Sequence, residues 1–308
     1  VLIYVFANSF INKNLEAVDK TDTDGITVEI PSGSSTDNIA QILHENNLIK
    51  NTFAFKYYAE KTNRDILLKA LTNGGISDNT ANVTIIEGLT VEDAAKSISE
   101  QLDLDYDKLL DLMNNASVFR DDFEFLSENP DINNLQGYLM PDTYNVYINS
   151  SEEDIVRVLL SQFDKFYVKE IKPRMEGSEL SFEEVINLAS IVEKEALLDE
   201  ERDEVAAVFL NRLDIDMKLQ SCATVNYAHG EWKERLTYDD IAIDSPYNTY
   251  IIKGLPPSPI NSPGRVSIIA VLEPADVDYL FFVAKGDGSH YFSKDYDEHI
   301  KAANEYLD

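Results

Sequence analysis

The chain has 308 residues, 44% of them hydrophobic and 10% aromatic, which is enough apolar material for two domains with cores. Its formal net charge is −30, from 56 acidic against 26 basic residues. Without a basic cluster, this charge excludes a nucleic-acid-binding face and disfavours polybasic attachment to anionic lipid.

The chain begins with a short apolar stretch followed by a polar one. Residues 1–6 are apolar, but a membrane-spanning helix needs about 20 such residues. These six fit the end of a longer membrane helix and equally an ordinary terminal helix or strand. Residues 14–25 carry three aspartates and predict a linker.

A strand–turn–helix unit then occurs twice. Residues 26–30 alternate like a strand and precede a glycine-containing turn and a helix that carries Ile39 and Leu43. Residues 83–86 precede Gly88 and a second helix in the same way. Such units occur in small sugar- or peptide-binding modules and also in plain scaffold, so the pattern alone leaves both open. We predict one module over residues 26–130.

The remaining chain has an α+β pattern. Turn-forming residues at 129–134 mark a boundary, so we expect a second domain over 131–308. A Gly-Asp-Gly turn between two aromatic strands predicts a hairpin near the C-terminus, at 279–292. Helical spacing of apolar residues predicts helices at 105–128, 152–170, 181–198, 200–213 and 222–229.

The helix at 181–198 is the segment most suggestive of chemistry. Ser181 followed by Glu184 is a capping box, which marks the start of the helix. At about 100° per residue, Lys194 lies opposite the apolar stripe, and Glu193 and Glu195 lie on its two flanks. A carboxylate against apolar side chains has a raised pKa, which suits a general acid. Ordinary helix-flank glutamates would produce the same pattern.

The spacing of these two glutamates excludes one mechanism. Residues at positions i and i+2 of a helix do not face each other, so Glu193 and Glu195 cannot act as a dyad on one bond. If this helix does chemistry, a single glutamate does it.

Several later segments combine aromatic and polar side chains without helical or strand periodicity. Aromatic faces and amides on rigid loops are how proteins hold sugar rings, although each segment alone would also fit a structural turn. The segments span residues 137–144, 219–228, 245–250 and 254–260.

Together with the glutamate helix, these segments resemble the endolytic murein transglycosylases of the YceG-like family. The resemblance runs from about residue 26 to the end and is most specific over 135–292. It implies a LysM-like N-terminal module and a larger α+β catalytic domain with a lysozyme-like helix. It also implies that Glu195 is the catalytic acid and Glu193 a supporting group. The substrate-binding residues that it implies are Tyr138, Asp142, Tyr144, Gln220, Thr224, Tyr227, Asn248 and Tyr250.

The chain departs from the family pattern at three places. Gln136 stands where the family has an acid, and Cys222-Ala223 replaces a common Asp-Pro, so Cys222 is not expected to be essential. A family segment is missing near residues 64–66, which puts glycan binding by the first module in doubt.

The single cysteine excludes an intramolecular disulfide, the four histidines lack metal-ligand spacing, and no cofactor motif is present, so neither a metal nor a cofactor is expected.

The resemblance implies cleavage of the β-1,4 bond between N-acetylmuramic acid and N-acetylglucosamine in nascent peptidoglycan, which leaves 1,6-anhydro ends and terminates glycan elongation. Two alternatives stay open: a muramidase that uses water and a second carboxylate, Asp142 or Asp244, and a non-catalytic wall-binding scaffold. The resemblance further implies penicillin-binding synthases as partners and a single membrane helix whose stump is residues 1–13. The catalytic domain would then lie on the extracytoplasmic side of the cell membrane.

Overall fold

The computed structural model describes residues 28, 30, 35–61, 80–148, 150–233 and 235–306. The chain divides into two compact units, residues 1–80 and 81–308. The predicted membrane stump, the linker and most of the first predicted strand lie outside the described residues. Within the described ranges, no helix combines the length and apolarity needed to cross a bilayer.

The described part of the first unit is a pair of helices, α1 (Thr36–Glu45) and α2 (Thr52–Lys61). The Ser35 side chain caps α1 by accepting a hydrogen bond from the Asn38 backbone N–H at 3.2 Å. The two helices bury a small apolar cluster of their own, made of Ile39, Ala40, Leu43, Phe55 and Ala59.

The second unit alternates short strands with helices, as the α+β prediction expected. It contains two sheets of two strands each, β1 with β2 and β3 with β4. Its elements up to the glutamate helix are β1 (Thr80–Ile85), α3 (Val91–Leu102), α4 (Tyr106–Met113), α5 (Glu124–Glu128), β2 (Asp142–Tyr147), α6 (Glu152–Phe166) and α7 (Lys172–Arg174). Those from that helix onward are α8 (Phe182–Glu195), α9 (Arg202–Asp214), α10 (Cys222–His229), α11 (Tyr238–Ile241), α12 (Arg265–Leu272), β3 (Phe281–Ala284), β4 (His290–Ser293) and α13 (Tyr296–Tyr306).

The second predicted strand–turn–helix unit is present as β1, a turn at Gly88, and α3. Thr90 caps α3, and its side chain accepts a hydrogen bond from the Asp93 N–H at 3.1 Å. The predicted helix at 105–128 is wrong as one element. It is α4, a 3₁₀ turn at Ala116–Val118 and α5, because Asn114 and Asn115 interrupt the helix after Met113.

One hydrophobic core runs through the whole second unit. It contains Val83 and Ile98 from β1 and α3, and also Leu188 and Ile268 from α8 and α12. Residues on both sides of position 130 therefore share a core, and packing divides the chain at residue 80 instead. The functional division into a LysM-like module at 26–130 and a catalytic domain from 131 stays a prediction.

The predicted C-terminal hairpin is confirmed. Strands β3 and β4 pair in antiparallel register, from Phe281 opposite Ser293 to Ala284 opposite His290. Two elements that position the site, α12 and α13, have no counterpart among the predicted helices. In α12 nearly every residue is apolar, so the helix shows no polar face from which to read a period.

Candidate active site

The glutamate helix α8 lies at the centre of the second unit. Its predicted capping box is formed: the Ser181 N–H donates to Glu184 Oε2 at 2.8 Å, and the Glu184 N–H donates to Ser181 Oγ at 3.3 Å. Every residue from Phe182 to Val192 except the two N-terminal glutamates is buried. The helix is enclosed rather than amphipathic, and it ends at Glu195 because Ala196 has an extended backbone. The carboxylate of Glu195 thus leaves a rigid element at its last turn.

Glu195 is a carboxyl group with an environment suited to proton transfer. Burial raises its pKa, while hydrogen bonds from the Ser221 side chain and the Ala223 backbone lower it in part. The Ser221 hydroxyl lies 2.5 Å from Glu195 Oε1 and donates to it. Because burial dominates, the protonated form is favoured more than in an ordinary glutamate, yet donors are in place for the ionised form.

Ser221 is held in position by a pair of buried threonines. Its N–H donates to Thr249 Oγ1 at 2.9 Å, and its carbonyl accepts from Thr224 Oγ1 at 2.8 Å. The two threonine hydroxyls are 2.9 Å apart, and both residues are fully buried. Gln220, the preceding residue, adopts φ 54°, a left-handed conformation that turns the chain into α10. The Ser221 hydroxyl therefore faces Glu195 from a fixed backbone.

Two basic groups act electrostatically on Glu195. Arg212 and His290 both lower the pKa of Glu195 relative to the effect of burial alone. The Arg212 guanidinium donates to the carbonyls of Leu219, at 2.6 Å, and Leu280, at 2.7 Å. Arg212 thereby links the chain before Ser221 to the C-terminal hairpin. Its positive charge also lies close enough to Glu195 to favour the ionised carboxylate.

His290 is itself fixed by an acid. Its Nδ1 lies 2.9 Å from Glu201 Oε2, and its backbone N–H donates to the same carboxylate at 3.0 Å. The turn of the hairpin just before His290 packs beside the chain that follows Glu195, since a β-carbon placed on Gly288 would contact the Leu197 side chain. The hairpin is therefore part of the site and not a remote element.

Tyr250 and Cys222 complete the polar surroundings of Glu195. The Tyr250 hydroxyl lies 3.2 Å from Cys222 Sγ. Burial raises the pKa of both groups, and the charge of Glu195 raises each further. Both groups are therefore neutral hydrogen-bonding side chains at neutral pH, and Cys222 is not a thiolate nucleophile.

Glu193 has a different environment from Glu195, although both lie at the end of the same helix. Its side chain is only 6% exposed and forms an ion pair with Arg202, with Oε1 at 3.1 Å from Nη1. Its second oxygen accepts from the Gly264 N–H at 2.8 Å and from Ser267 Oγ at 2.7 Å. These contacts link α8 to α9 and to the start of α12. Glu193 is thus occupied in holding three helices together.

A cavity of about 640 Å³ borders the Glu193 side of the helix. Its walls include Thr84 from β1, Asp142 from β2, and Arg202 and Arg265 from the two helices that flank Glu193. Glu195 is not among the residues that line it, so the concavity and the perturbed carboxyl group lie on different flanks of α8.

Two predicted sugar-binding tyrosines lie in the core instead of in a groove. Tyr138 is 3% exposed, and its ring packs against Phe125, Phe163 and Phe182 at centroid distances of 5.7, 5.6 and 5.8 Å. Tyr144 is 7% exposed and donates its hydroxyl to the Met140 carbonyl. The Tyr138 ring therefore fills the gap between α5, α6 and α8, and its role in substrate binding stays a prediction.

Several other predicted residues brace loops. Asn248 is fully buried: its amide donates to the carbonyls of Ile241 and Ile243 at 2.7 and 2.8 Å, and its oxygen accepts from the Tyr250 N–H at 3.0 Å. Asn248 and Thr224 therefore shape the site without facing it. Asp142 is exposed at the cavity and accepts from Gln162 at 3.2 Å.

The predicted residues that do lie near Glu195 are Gln220 and Tyr250. The Gln220 side chain is exposed next to Ser221, and Tyr250 contacts Cys222. Tyr227 is half-buried against Tyr247, at a centroid distance of 4.8 Å, and burial raises its pKa to about 12. Gln136 replaces the family's acid as a structural group, because its Oε1 accepts from the Val91 N–H at the start of α3 at 2.8 Å.

Sequence reasoning did not single out the residues that surround the two glutamates. These include Ser221, Arg212, His290, Arg202 and Ser267, which come from elements up to about a hundred residues apart. A usable signal existed only for Ser221, which lies within one of the quoted polar-aromatic segments. No cluster of three or more His, Cys, Asp or Glu that could hold a metal ion occurs among the residues that the structure describes.

Comparison with known proteins places this geometry in context. The model of the YceG-like family matches residues 28–305. The chain is 33% identical to the endolytic murein transglycosylase of Bacillus subtilis (strain 168), over 95% of this chain and 88% of that protein. It is 29% identical to the protein of the same name from Streptococcus pneumoniae (strain ATCC BAA-255 / R6), over 98% of this chain but 62% of that protein. A crystal structure of a YceG-like protein from Listeria monocytogenes superposes with a TM-score of 0.64 and 32% identity, over 91% of this chain and 100% of the other.

Proposed function

The chain belongs to the YceG-like family, and we propose that it is an endolytic murein transglycosylase in which Glu195 is the acid and base. The observation that carries the assignment to Glu195 is its raised pKa together with the hydroxyl of Ser221 at 2.5 Å. Glu193, the other candidate, is held by Arg202, Gly264 and Ser267, so both of its oxygens are engaged by protein groups.

The proposed reaction needs only one carboxyl group. Protonated Glu195 donates its proton to the glycosidic oxygen between N-acetylmuramic acid and N-acetylglucosamine, and the bond to C1 of the muramyl residue breaks. Positive charge develops at C1 and its ring oxygen. The ionised Glu195 then accepts the proton of the C6 hydroxyl of the same sugar, whose oxygen closes a 1,6-anhydro ring on C1. The carboxyl group ends the cycle protonated, as it began.

The surroundings of Glu195 support both halves of this cycle. Burial favours the protonated form at the start, whereas Ser221, Arg212 and His290 stabilise the ionised form after proton donation. Apart from burial, the largest effects on its pKa come from hydrogen-bond donors and basic groups. A muramidase would need a second carboxylate to activate water. This favours ring closure, in which proximity of the C6 hydroxyl replaces an ordered water.

Glu195→Gln tests the catalytic assignment. The amide keeps the size of the side chain and accepts the Ser221 hydrogen bond, but it cannot donate and retrieve a proton. We expect the rate of release of soluble fragments from purified glycan strands to fall by about 10²–10⁴. Glu200→Gln, at an exposed position five residues away, is the matched control and should cleave like the wild type. A wild-type rate in Glu195→Gln would remove Glu195 from the mechanism.

The product ends separate ring closure from hydrolysis. We expect fragments that end in 1,6-anhydro-muramic acid, which has no reducing end and so resists borohydride. Borohydride treatment of the digest followed by mass spectrometry measures the fraction of reducible ends. A majority of reducible muramic acid would mean that water is the nucleophile, and the muramidase alternative would replace ring closure.

The biological setting completes the proposal. Cleavage within nascent strands would terminate glycan elongation and would bring the chain to penicillin-binding synthases. Single-pass anchoring through a helix that includes residues 1–13 would place Glu195 on the extracytoplasmic side of the cell membrane. Labelling of cysteines introduced at exposed positions of the second unit by a membrane-impermeant reagent on intact cells tests the sidedness.

A further inference from the structure

Trp232 is the single tryptophan of the chain, and most of its side chain is exposed. Its side chain is 62% exposed. The loop that carries it is nevertheless anchored, since Asn226 and the backbone of Lys233 exchange two hydrogen bonds at 3.1 and 3.2 Å. The Lys233 ammonium also pairs with Asp240 at 2.8 Å. A large aromatic ring is therefore held at the surface by a fixed backbone.

The ammonium group of Lys194 lies over this ring. Its Nζ is 5.3 Å from the centre of the Trp232 ring, within the range of a cation–π contact. The lysine stem lies against the backbone at Gly88, where a β-carbon would come within 2.9 Å of Nζ. Because Gly88 leaves this space, the ammonium is fixed between the turn after β1 and the tryptophan ring.

Lys194 differs from those lysines of this acidic protein that are paired with carboxylates. Lys172 forms ion pairs with Glu124 and Glu128, and Lys108 with Glu152. In the part of the chain that the structure describes, no carboxylate lies within ion-pair distance of Lys194. Burial lowers the pKa of Lys194, and the more distant charges of Glu193 and Asp93 only partly oppose this. The Lys194 side chain nevertheless stays exposed, so its ammonium can reach an anionic ligand.

We propose that Lys194 and Trp232 form a subsite for a peptide-bearing sugar of the glycan strand. The Trp232 ring stacks on the apolar face of the pyranose, and the Lys194 ammonium pairs with a free carboxylate of the attached peptide. The proposal rests on the proposed function, because it takes the strand as the ligand. Lys194 and Glu195 leave α8 at nearly the same level but about 100° apart, so they act on different sugars of one strand.

The fluorescence of Trp232 reports occupancy of this subsite directly, because no other tryptophan contributes. The titration uses the Glu195→Gln protein, which leaves the ligand uncut, and two probes: a peptide-bearing tetrasaccharide of the wall and the neutral N-acetylglucosamine tetramer. We expect a saturable change in emission with both and tighter binding of the peptide-bearing probe.

Removal of the ammonium isolates its contribution. Lys194→Met in the same background keeps the stem that lies on Gly88, and we expect it to weaken binding of the peptide-bearing probe by about tenfold, as for loss of one charged hydrogen bond. Binding of the neutral tetramer should change by much less. Lys165→Met, an exposed lysine on α6, is the matched control and should leave both affinities unchanged.

Two results would overturn the subsite. One is saturable binding, measured by calorimetry, without any change in Trp232 emission. The other is an equal effect of Lys194→Met on both probes, or no effect on either, with an unaltered circular dichroism spectrum. Neither result affects the proposed function, which is scored separately by cleavage of strands by the wild-type protein. Failure of the wild type to cleave would remove the function, while the titration would still report binding.

Discussion

Removal of Arg202 is the sharpest test of how the glutamate helix is held. The Glu193 and Arg202 side chains are 6% and 10% exposed and lie 3.1 Å apart, so the ion pair is buried. In Arg202→Met the aliphatic stem is kept, but the Glu193 carboxylate loses its counter-charge. Breaking a buried pair from one side costs about 3–5 kcal/mol in free energy of unfolding, because the remaining charge is left desolvated.

The structure places this variant at the lower end of that range. Gly264 and Ser267 still donate to Glu193 Oε2 at 2.8 and 2.7 Å after Arg202 is gone. The second ion pair of Arg202, with Asp199, contributes little because the Asp199 side chain is 66% exposed. We therefore expect a loss of about 3 kcal/mol, which is a large share of the ~5–15 kcal/mol that stabilises a typical protein.

Denaturant unfolding of the wild type, Arg202→Met, Glu193→Gln and the double variant measures the effect and its origin. Replacement of both charges removes the uncompensated carboxylate, so the double variant should be more stable than Arg202→Met alone. A loss below about 1 kcal/mol in Arg202→Met, or strictly additive losses in the double variant, would refute the buried-clamp argument.

Two further predictions follow from the surroundings of Glu195. Because burial raises the pKa of Glu195 in the folded state, its contribution to stability is fully present below its unfolded pKa of about 4.3 and is lost as the pH rises through the folded pKa. Glu195→Gln should therefore gain stability relative to the wild type as the pH rises from about 4.3 to the folded pKa, by at most ~1.4 kcal/mol per pH unit. A pH-independent difference in thermal or denaturant unfolding would contradict the assignment. Ser221→Ala removes a donor to the ionised form, so the limb of the pH–rate profile governed by Glu195 should move to higher pH, with a loss of about 1.5–3 kcal/mol in unfolding free energy at neutral pH. Ser127→Ala, at an exposed position on α5, is the control, and an unmoved profile would separate Ser221 from the acid.

Local pattern was sufficient to predict the helix that bears the two glutamates and the C-terminal hairpin. The capping box at Ser181 and Glu184 located the start of α8. The helical period then placed Glu193 and Glu195 on different flanks, which excluded a dyad. The Gly-Asp-Gly turn located the hairpin of β3 and β4. These features depend on residues a few positions apart, and such interactions can be inferred from spacing alone.

The role of each glutamate was decided by partners that are distant in the sequence. Glu193 is bound by Gly264 and Ser267, 71 and 74 residues away, and Glu195 by Ser221, 26 residues away. Tyr138 is of a residue type that often stacks on sugar rings, yet packing against Phe125 and Phe163 puts it in the core. Helical periodicity states which face a side chain occupies but not what packs against that face. Tertiary contacts alone therefore decided that Glu193 is engaged in a structural ion pair, whereas burial raises the pKa of Glu195, two residues later.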